Sequence, residues 1–187
     1  MFGLDSDEQL VGKALGGSTR AWTRLVQRYE RKVYNHALRM CGNPEDAMDL
    51  MQDAFLAAYR NLPNYRGEGA FGGWLLRIAG NRSLDFLRRR QLGRQHFEDD
   101  GEEAMLHVAG DDCPFDRLAE GERRAHVLAL LGRLPMEQRL VVELKFFQDL
   151  TFEEIAAQLR IPVNTAKTRL YTGLSKLRGH AEFSHAL

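Results

Sequence analysis

Side chains suited to binding nucleic acid are concentrated near the carboxyl end of this sequence. One short segment carries hydrogen-bonding or positively charged groups at Asn164, Thr165, Lys167, Thr168, Arg169 and Tyr171. Amides and hydroxyls can bond base edges or phosphates, and lysine and arginine are attracted to phosphate. Residues 160 to 178 include no aspartate or glutamate. Because a helix that merely faces solvent usually mixes both signs of charge, this composition favours a DNA-binding face over a solvated helical hairpin.

This polar face belongs to the second of two closely spaced predicted helices. Thr151 and Glu154 have the spacing of a capping box at the start of the first helix, and Pro162 marks the break after it. The inner side of the second helix repeats every three or four residues at Val163, Ala166, Leu170, Leu174 and Leu177. Two helices with a short turn, the second polar and basic, indicate a helix-turn-helix whose second helix enters the major groove.

A second basic segment, between residues 60 and 90, has aromatic rings among its cations. Its arginines are Arg60, Arg66, Arg77, Arg82, Arg88, Arg89 and Arg90, against the acids Glu68 and Asp85. Cations follow phosphates while aromatic rings stack on bases, so the mixture predicts a site for single-stranded nucleic acid. Phe71 is equally compatible with core packing and with stacking on a base. For Trp74, the nearby Arg77 and Asn81 favour a role in nucleic-acid binding over core packing.

Patterns of enzyme chemistry are missing from the sequence. It has no phosphate-binding glycine loop, no nucleophile elbow and no metal-ligand spacing of cysteines or histidines. We therefore expect no catalytic residue, no cofactor and no metal. The two cysteines, Cys41 and Cys113, are too few for a disulfide framework and suit a reducing compartment, with a redox role the less favoured interpretation. The formal net charge is +0, and no apolar run predicts a signal peptide or membrane insertion, so a cytoplasmic protein is expected.

Helical periodicity covers the 187-residue chain on both sides of an acidic interruption. The first part predicts helices from Ser6 to about Leu15, from Ser18 or Thr19 to Gly42, from Asn43-Pro44 to Leu62-Pro63, and from Phe71 to about Arg90. After the interruption, helices are predicted from near Phe115 to Leu134-Pro135 and from Met136 to Phe147, before the helix-turn-helix. In the helix ending at Phe147, the inward positions are expected to be Leu140, Val141, Leu144 and Phe147.

The interruption at residues 91–116 is acidic and punctuated by Gly93, Gly101, Gly110 and Pro114. Such a composition is typical of a flexible linker. The predicted fold is therefore all-α, with two small helical domains at residues 1–90 and 117–187, joined by the flexible acidic linker. The C-terminal domain contains the helix-turn-helix.

These motifs, taken in order, resemble the bacterial extracytoplasmic-function (ECF) group of RNA polymerase sigma factors. The stretch from Asp46 to Phe55 is similar to the polymerase-binding helix of sigma factors. Tyr65-Arg66-Gly67, Phe71, Trp74-Leu75, Arg77-Ile78-Ala79 and Asn81 resemble the promoter-melting segment. Leu134-Pro135 with Arg139, Glu154-Ile155-Ala156 and Thr165 to Leu170 resemble the C-terminal domain. The resemblance covers nearly the whole chain and is more specific than a helix-turn-helix alone.

The resemblance implies a division of roles among the residues. Contacts to core RNA polymerase, which includes the β and β′ subunits, are expected at Asp49, Gln52 and Asp53, with the β′ clamp helices as their target. Contacts to the melted minus-ten promoter element are expected at Tyr65, Arg66, Phe71, Trp74, Arg77, Asn81 and Arg88. Contacts to the double-stranded minus-thirty-five element are expected at Asn164, Thr165, Lys167, Thr168, Arg169 and Tyr171. An anti-sigma factor is a further expected partner.

Two alternatives and some departures accompany this resemblance. A helix-turn-helix regulator that is not a sigma factor would usually carry strands in its N-terminal domain, where this sequence predicts helices alone. A protein that binds polymerase without melting DNA is the other alternative. Arg160 stands where the family often has glycine, and the additional glycines are Gly72, Gly73, Gly80 and Gly173.

Overall fold

The computed structural model describes residues 5–67, 69–95 and 118–184. Every regular element in these ranges is helical, which confirms the predicted all-α class. The α-helices are α1 (Asp7–Leu15), α2 (Thr19–Cys41), α3 (Pro44–Asn61), α4 (Phe71–Gln95), α5 (Leu118–Gly132), α6 (Met136–Phe146), α7 (Phe152–Leu159) and α8 (Val163–Ser184). A short 3₁₀ turn, Leu62–Asn64, follows α3. Most of the predicted linker, residues 96–116, lies outside the described residues.

Local capping sets the starts of these helices as the sequence predicts. The Ser6 hydroxyl accepts a bond from the Gln9 amide, and the Gln9 side chain accepts one from the Ser6 amide. The same reciprocal capping box joins Thr151 and Glu154 at the start of α7. Before α3, the Asn43 side chain accepts bonds from two backbone amides of the first turn. These contacts satisfy amides that would otherwise have no partner within the helix.

The first four helices form a bundle around one apolar core. Leu10 of α1, Leu25 of α2, Ala54 of α3 and Leu75 of α4 are all fully buried in it. The helix α4 continues to Gln95, past the predicted end at Arg90. Because α3 and α4 pack side by side, the turn and loop between them are held at one end of the bundle.

The last four helices bury a second core. Leu140 and Leu144 of α6, Ile155 of α7 and Ala166 and Leu170 of α8 are its central members. The turn between α7 and α8 contains Arg160 in the left-handed conformation, with φ 55°. This geometry is the helix-turn-helix that the sequence predicts.

Phe147 does not point inward as predicted. The helix α6 ends at Phe146, and Phe147 is the residue that caps it. Its side chain is 37% exposed, and the guanidinium of Arg39 lies 4.1 Å from its ring centroid. The helical period that predicts a buried position does not extend past the end of the helix, and a cation–π contact to α2 replaces core packing.

The two groups of helices pack directly against each other, which the sequence did not predict. Leu128 of α5 is buried against Tyr34 and Leu38 of α2. Met40, at the other end of this contact, is fully buried among core residues of the second group such as Leu131. The two domains therefore share apolar cores as well as being joined by the chain.

Candidate nucleic-acid and polymerase interfaces

An aromatic cluster occupies the end of the first bundle, at the start of α4. The ring centroids of Tyr65 and Trp74 are 5.2 Å apart, and those of Phe71 and Trp74 are 5.6 Å apart. Phe71 is 2% exposed and belongs to the core, whereas Tyr65 and Trp74 are half-buried. The Tyr65 hydroxyl donates to the Gly69 carbonyl over 2.8 Å. Phe71 is therefore placed to support the two outer rings from beneath.

Close backbone approach holds this cluster in place. A Cβ atom added to Gly72 would lie 2.6 Å from Cε1 of Tyr29. Tyr29 itself packs edge-on against Phe71, with ring centroids 5.6 Å apart, and its hydroxyl donates to Asp7. Burial and the bond to Asp7 raise the pKa of the Tyr29 hydroxyl. Glycine at position 72 thus has a packing reason, because a side chain would push α4 away from α2.

A cavity of about 430 Å³ opens beside Trp74, between α3 and α4. Its walls are Ala57, Asn61, Asn64, Trp74, Ile78, Asn81, Arg82 and Asp85. Amide, guanidinium and carboxylate groups next to an aromatic face can bond the edge of a base while the ring stacks on it. The sequence predicted Trp74 and Asn81 but missed Asn61 and Asn64. Asn61 and Asn64 lie at the end of α3 and in the turn after it, so the spacing of residues along α4 gave no signal for them.

The predicted minus-ten cations Arg66, Arg77 and Arg88 do not line this cavity, whose wall has Arg82 instead. Arg66 and Arg77 are exposed, and Arg77 is close enough to Glu154 of α7 to contribute to a lowered pKa of that carboxyl. The larger causes of that lowering are the backbone and side-chain bonds from Thr151. Arg88 is exposed two turns beyond Asn81, about 10 Å along the helix. The structure therefore places Trp74 and Asn81 in the cavity wall and leaves the predicted cations outside it. Tyr65 and Phe71 pack against the Trp74 ring.

The predicted polymerase-binding residues form one exposed face of α3. Asp49, Gln52 and Asp53 are exposed and spaced three or four residues apart. Leu56, one turn further along the same face, is 53% exposed. Leu56 therefore adds an apolar side chain to this acidic face. The sequence analysis assigned Leu56 no role, although its spacing continues the face.

The polar face of α8 is convex and open. Asn164, Lys167, Thr168 and Tyr171 are exposed, and Tyr171 is 62% exposed. The Thr168 hydroxyl donates to the Asn164 carbonyl over 2.9 Å within the helix. Thr165 is half-buried. These residues share one side of the helix, as recognition of a groove requires.

Arg169 is half-buried and forms an ion pair with a residue that is distant in the sequence. Its Nη2 lies 2.5 Å from Oε2 of Glu137, in the first turn of α6. The segment from 160 to 178 contains no acid, yet the fold brings one to its basic face. Glu137 fixes the Arg169 guanidinium with a charge-assisted bond.

Close packing explains another glycine that departs from the family pattern. A Cβ atom added to Gly173 would meet Cβ of Gln138 at 3.4 Å and Cγ2 of Val142 at 3.6 Å. A larger side chain would therefore separate α8 from α6. The expected cost of glycine inside a helix is thus accompanied by closer contact between the two helices.

The remaining candidate chemistries find little support in the described ranges. No group of three or more potential metal ligands occurs among these residues. None of the helices found there has both the length and the apolar character needed to cross a bilayer. Cys41 is buried, and that burial raises the pKa of its thiol to about 11, so it is poorly suited to act as a nucleophile. Cys113 lies outside the described residues.

Family comparisons agree with both halves of this arrangement. The Sigma-70 region 2 model matches residues 25–92, and the Sigma-70 region 4 model matches residues 124–177. The chain belongs to the sigma-70 family, whose members act in transcription initiation. Its curated relatives place it in the ECF group of RNA polymerase sigma factors. This assignment favours the sigma-factor interpretation over a helix-turn-helix regulator of another class.

The relatives span nearly the whole chain. The RNA polymerase sigma-H factor of Pseudomonas aeruginosa is 33% identical over 178 residues, with 91% of each chain covered. The ECF sigma-E factor of Escherichia coli K12 is 32% identical, with 89% of each chain covered. ECF sigma factor SigE of Mycolicibacterium smegmatis is 36% identical, covering 86% of this chain and 61% of the relative.

Two solved structures share the fold. CnrH, solved in complex with the cytosolic domain of CnrY, aligns with a TM-score of 0.65 at 26% identity, covering 95% of this chain and 98% of CnrH. The sigma factor RpoE of Bartonella quintana, solved with the anti-sigma factor NepR, aligns with a TM-score of 0.65 at 18% identity, covering 88% of this chain and 98% of that one. The second similarity concerns the fold alone.

Proposed function

We propose that this sigma factor binds core RNA polymerase and directs initiation at promoters with minus-ten and minus-thirty-five elements. The observation that carries the proposal is the presence, in one chain, of a concave aromatic cavity on α4 and a convex polar face on α8. The first suits an unpaired base and the second suits an intact groove. Run-off transcription with core polymerase over a promoter library tests it. Failure to confer any start-site selection would overturn the proposal.

The minus-ten element is read as melted DNA at the cavity beside Trp74. Extruding a base costs a few kcal/mol, which stacking on Trp74 and bonds to the amides of Asn61, Asn64 and Asn81 would offset. Tyr65 and Phe71 hold the Trp74 ring in place through their mutual packing. Arg66, Arg77 and Arg88 hold phosphates of the displaced strand.

The minus-thirty-five element is read as a duplex by α8. Lys167 and Arg169 supply the positive charge, and the Tyr171 side chain is 62% exposed. Asn164, Thr165 and Thr168 contact the backbone or base edges near the start of the helix. In a footprint, neutralising both Lys167 and Arg169 should remove upstream protection while leaving core-polymerase binding in place.

The exposed face of α3 binds the clamp helices of the β′ subunit of polymerase. Asp49 and Asp53 pair with arginines there, Gln52 adds hydrogen bonds, and Leu56 adds apolar area. The test is a pull-down of core polymerase with the double variant Asp49→Lys, Asp53→Lys. An exposed acid on α7 offers a control variant, Glu153→Lys, which should bind normally. Unchanged binding by the double variant would disprove the assignment.

Regulation by an anti-sigma factor is part of the proposal. Its support is the fold shared with RpoE, which was solved with the anti-sigma factor NepR. We also infer that the chain acts in the cytoplasm, where its polymerase and DNA partners are found, and that it catalyses no reaction of its own. Capture of an anti-sigma factor from cells expressing the tagged chain would test the regulatory part, and its absence under every growth condition would count against it.

A further inference from the structure

Tyr29 of α2 supports the aromatic cluster at the start of α4. Its ring packs edge-on against Phe71, with ring centroids 5.6 Å apart, and Phe71 packs in turn against Trp74. A Cβ atom added to Gly72 would lie 2.6 Å from Cε1 of Tyr29 and 3.1 Å from its hydroxyl oxygen. The Tyr29 ring therefore sets how closely the first turn of α4 can approach α2.

A carboxylate from a third helix fixes the Tyr29 hydroxyl. The hydroxyl donates to Oδ2 of Asp7, which lies in the first turn of α1. Nη1 of Arg28, the residue before Tyr29, donates to Oδ1 of the same carboxylate. Arg28 also donates from Nη2 to the Asp5 carbonyl over 2.8 Å. Because hydrogen bonds to an ionised acceptor are roughly twice as strong as neutral ones, Asp7 holds the Tyr29 ring firmly in one orientation.

The helix α1 also lies close to the other ring that contacts Trp74. Burial raises the pKa of the Tyr65 hydroxyl, and the negative charges of Glu8 and Asp7 raise that pKa further. The helix contacts the turn Leu62–Asn64, which leads into Tyr65. The ring centroids of Tyr65 and Trp74 are 5.2 Å apart. The helix α1 therefore adjoins the aromatic cluster on two sides.

Asp7 and Tyr29 are not part of the cavity wall. Any effect they have on an extruded base must therefore pass through the Phe71 and Trp74 rings. A binding site works well when the residues behind it hold its walls within about 0.5 Å of the productive geometry. Apolar packing is not directional, whereas a hydrogen bond at the far end of the Tyr29 ring constrains its orientation.

We propose that Asp7 and Tyr29 are positioning residues for promoter opening. The carboxylate orients the tyrosine, and the tyrosine holds the start of α4 so that the Trp74 ring is ready to receive the extruded base. Neither residue contacts DNA. The role in opening rests on the proposed function, whereas the support of the Trp74 ring is a property of the free chain. The sequence analysis assigned no role to α1, and this proposal makes the helix part of the minus-ten site.

Fluorescence of Trp74 in the free, full-length chain tests the support of its ring. The chain has 2 tryptophans, so the background variant Trp22→Phe leaves Trp74 as the only one. Tyr29→Phe and Asp7→Ala should each raise the acrylamide quenching constant of Trp74 at least twofold, because a less restrained ring is reached by the quencher more often. Asp7→Asn keeps an oxygen that can accept from the Tyr29 hydroxyl, so its quenching should stay close to that of the parent.

Promoter opening is then measured with holoenzyme made from core polymerase and each full-length variant, on a promoter selected by run-off transcription. The affinity of the closed complex and the rate of opening are measured separately, the rate from permanganate reactivity of the melted strand over time. Tyr29→Phe and Asp7→Ala should slow opening at least threefold and leave the closed-complex affinity unchanged. A merely structural role would lower the amplitude of both signals through loss of folded protein, without changing the opening rate of the remaining molecules.

Two double variants establish the route of the effect. Asp7→Ala combined with Tyr29→Phe should open promoters no more slowly than either single variant, because both remove the same hydrogen bond. Tyr29→Phe added to Trp74→Ala should cause no further loss, because the ring through which Tyr29 acts is already absent. A further threefold loss in the Trp74→Ala background would overturn the proposal, since Tyr29 would then act by another route.

Asp5→Ala is the matched control. Asp5 lies two residues from Asp7, and its carboxylate pairs with Lys13 over 3.1 Å and with Arg24. Its removal therefore also costs ion pairs at the start of α1, but it leaves the carboxylate that bonds Tyr29. Asp5→Ala should show the parent's quenching constant and opening rate. Circular dichroism and denaturant unfolding establish that every variant is folded.

The outcomes separate this proposal from the proposed function. The positioning role is overturned if Tyr29→Phe and Asp7→Ala both open the promoter at the parent's rate, or if Asp5→Ala slows opening as much as they do. If Trp74 quenching is unchanged in both variants, the support of the ring fails, while normal opening by the parent leaves the proposed function intact. If the parent opens no promoter in the library and quenching still rises in the two variants, the proposed function fails and the support of Trp74 stands.

Discussion

The α4 cavity and the α8 face, the two proposed DNA sites, would solve different recognition problems within one chain. The α4 site is concave, with its walls drawn from two helices and the turn between them, and its rings are supported by the core. The α8 face is convex, comes from one helix and is largely exposed. An extruded base needs a preformed cavity, whereas an intact duplex supplies its own groove and needs a protruding surface. Under the proposed function, melting would depend on tertiary structure more than duplex recognition does.

Removing the Trp74 ring should have the largest effect and should be confined to the α4 site. Stacking of a base on an aromatic ring contributes about 1–3 kcal/mol, so Trp74→Ala should reduce open-complex formation by about 5- to 150-fold. Permanganate footprinting of the melted strand measures it. Trp74→Phe should retain part of the activity, and both variants should bind an isolated minus-thirty-five duplex normally. If Trp74→Ala reduced open-complex formation and binding to the minus-thirty-five duplex equally, the two sites would not act separately as proposed.

Neutralising the α8 cations should affect duplex binding alone. Arg169→Gln should cost about 1–3 kcal/mol on a matched duplex if the guanidinium reads a base. Lys167→Gln, if it contacts phosphate, should weaken binding to all sequences and reduce the salt dependence by about one charge. Lys176→Gln, an exposed lysine further along the same helix, serves as the control. Titration of labelled duplex at several salt concentrations measures these effects, and an equal loss of binding to a premelted minus-ten element would contradict them.

The same contrast explains what could be predicted from the sequence. The polar face of α8 follows from the spacing of residues in one helix, and the family resemblance then implies the roles of its six proposed contacts. The α4 cavity needs Asn61 and Asn64 to face Asn81 across a gap, which depends on how α3 packs against α4. Local sequence patterns also give no indication of ion pairs between residues far apart in the chain, such as Glu143 with Arg39. Such contacts depend on tertiary distance, which sequence spacing does not specify.

Adding a methyl group at either of two adjacent glycines beside the α4 site should change the unfolding free energy by different amounts. Gly72→Ala places Cβ 2.6 Å from the Tyr29 ring and should cost about 1–3 kcal/mol of unfolding free energy through overpacking. Gly73→Ala, where Cβ meets no neighbouring atom within 4 Å, should be neutral or stabilising by up to about 1 kcal/mol. Denaturant unfolding of both variants measures the difference. Equal stabilities would show that close approach of α4 to α2 is not what requires Gly72.

The smallest expected effect lies in the turn before α8, where the left-handed backbone favours glycine but the sequence has Arg160. Its φ of 55° and ψ of 47° are left-handed, which costs a residue with a side chain about 1–2 kcal/mol. Glycine removes that strain but loses about 0.5–1 kcal/mol of conformational entropy, so Arg160→Gly should stabilise the fold by about 0.5–1 kcal/mol. Denaturant unfolding measures the gain.

Arg160→Ala separates the effect of charge from that of the backbone, because it removes the guanidinium and keeps the Cβ atom. It should give none of the stabilisation of Arg160→Gly, and both variants should lose the same small electrostatic contribution to duplex affinity. If the two variants were equally stable, strain at φ 55° would not explain the difference. A gain from Arg160→Gly alone would show that the turn before α8 carries backbone strain, whereas Gly72 at the α4 site avoids a steric clash with Tyr29.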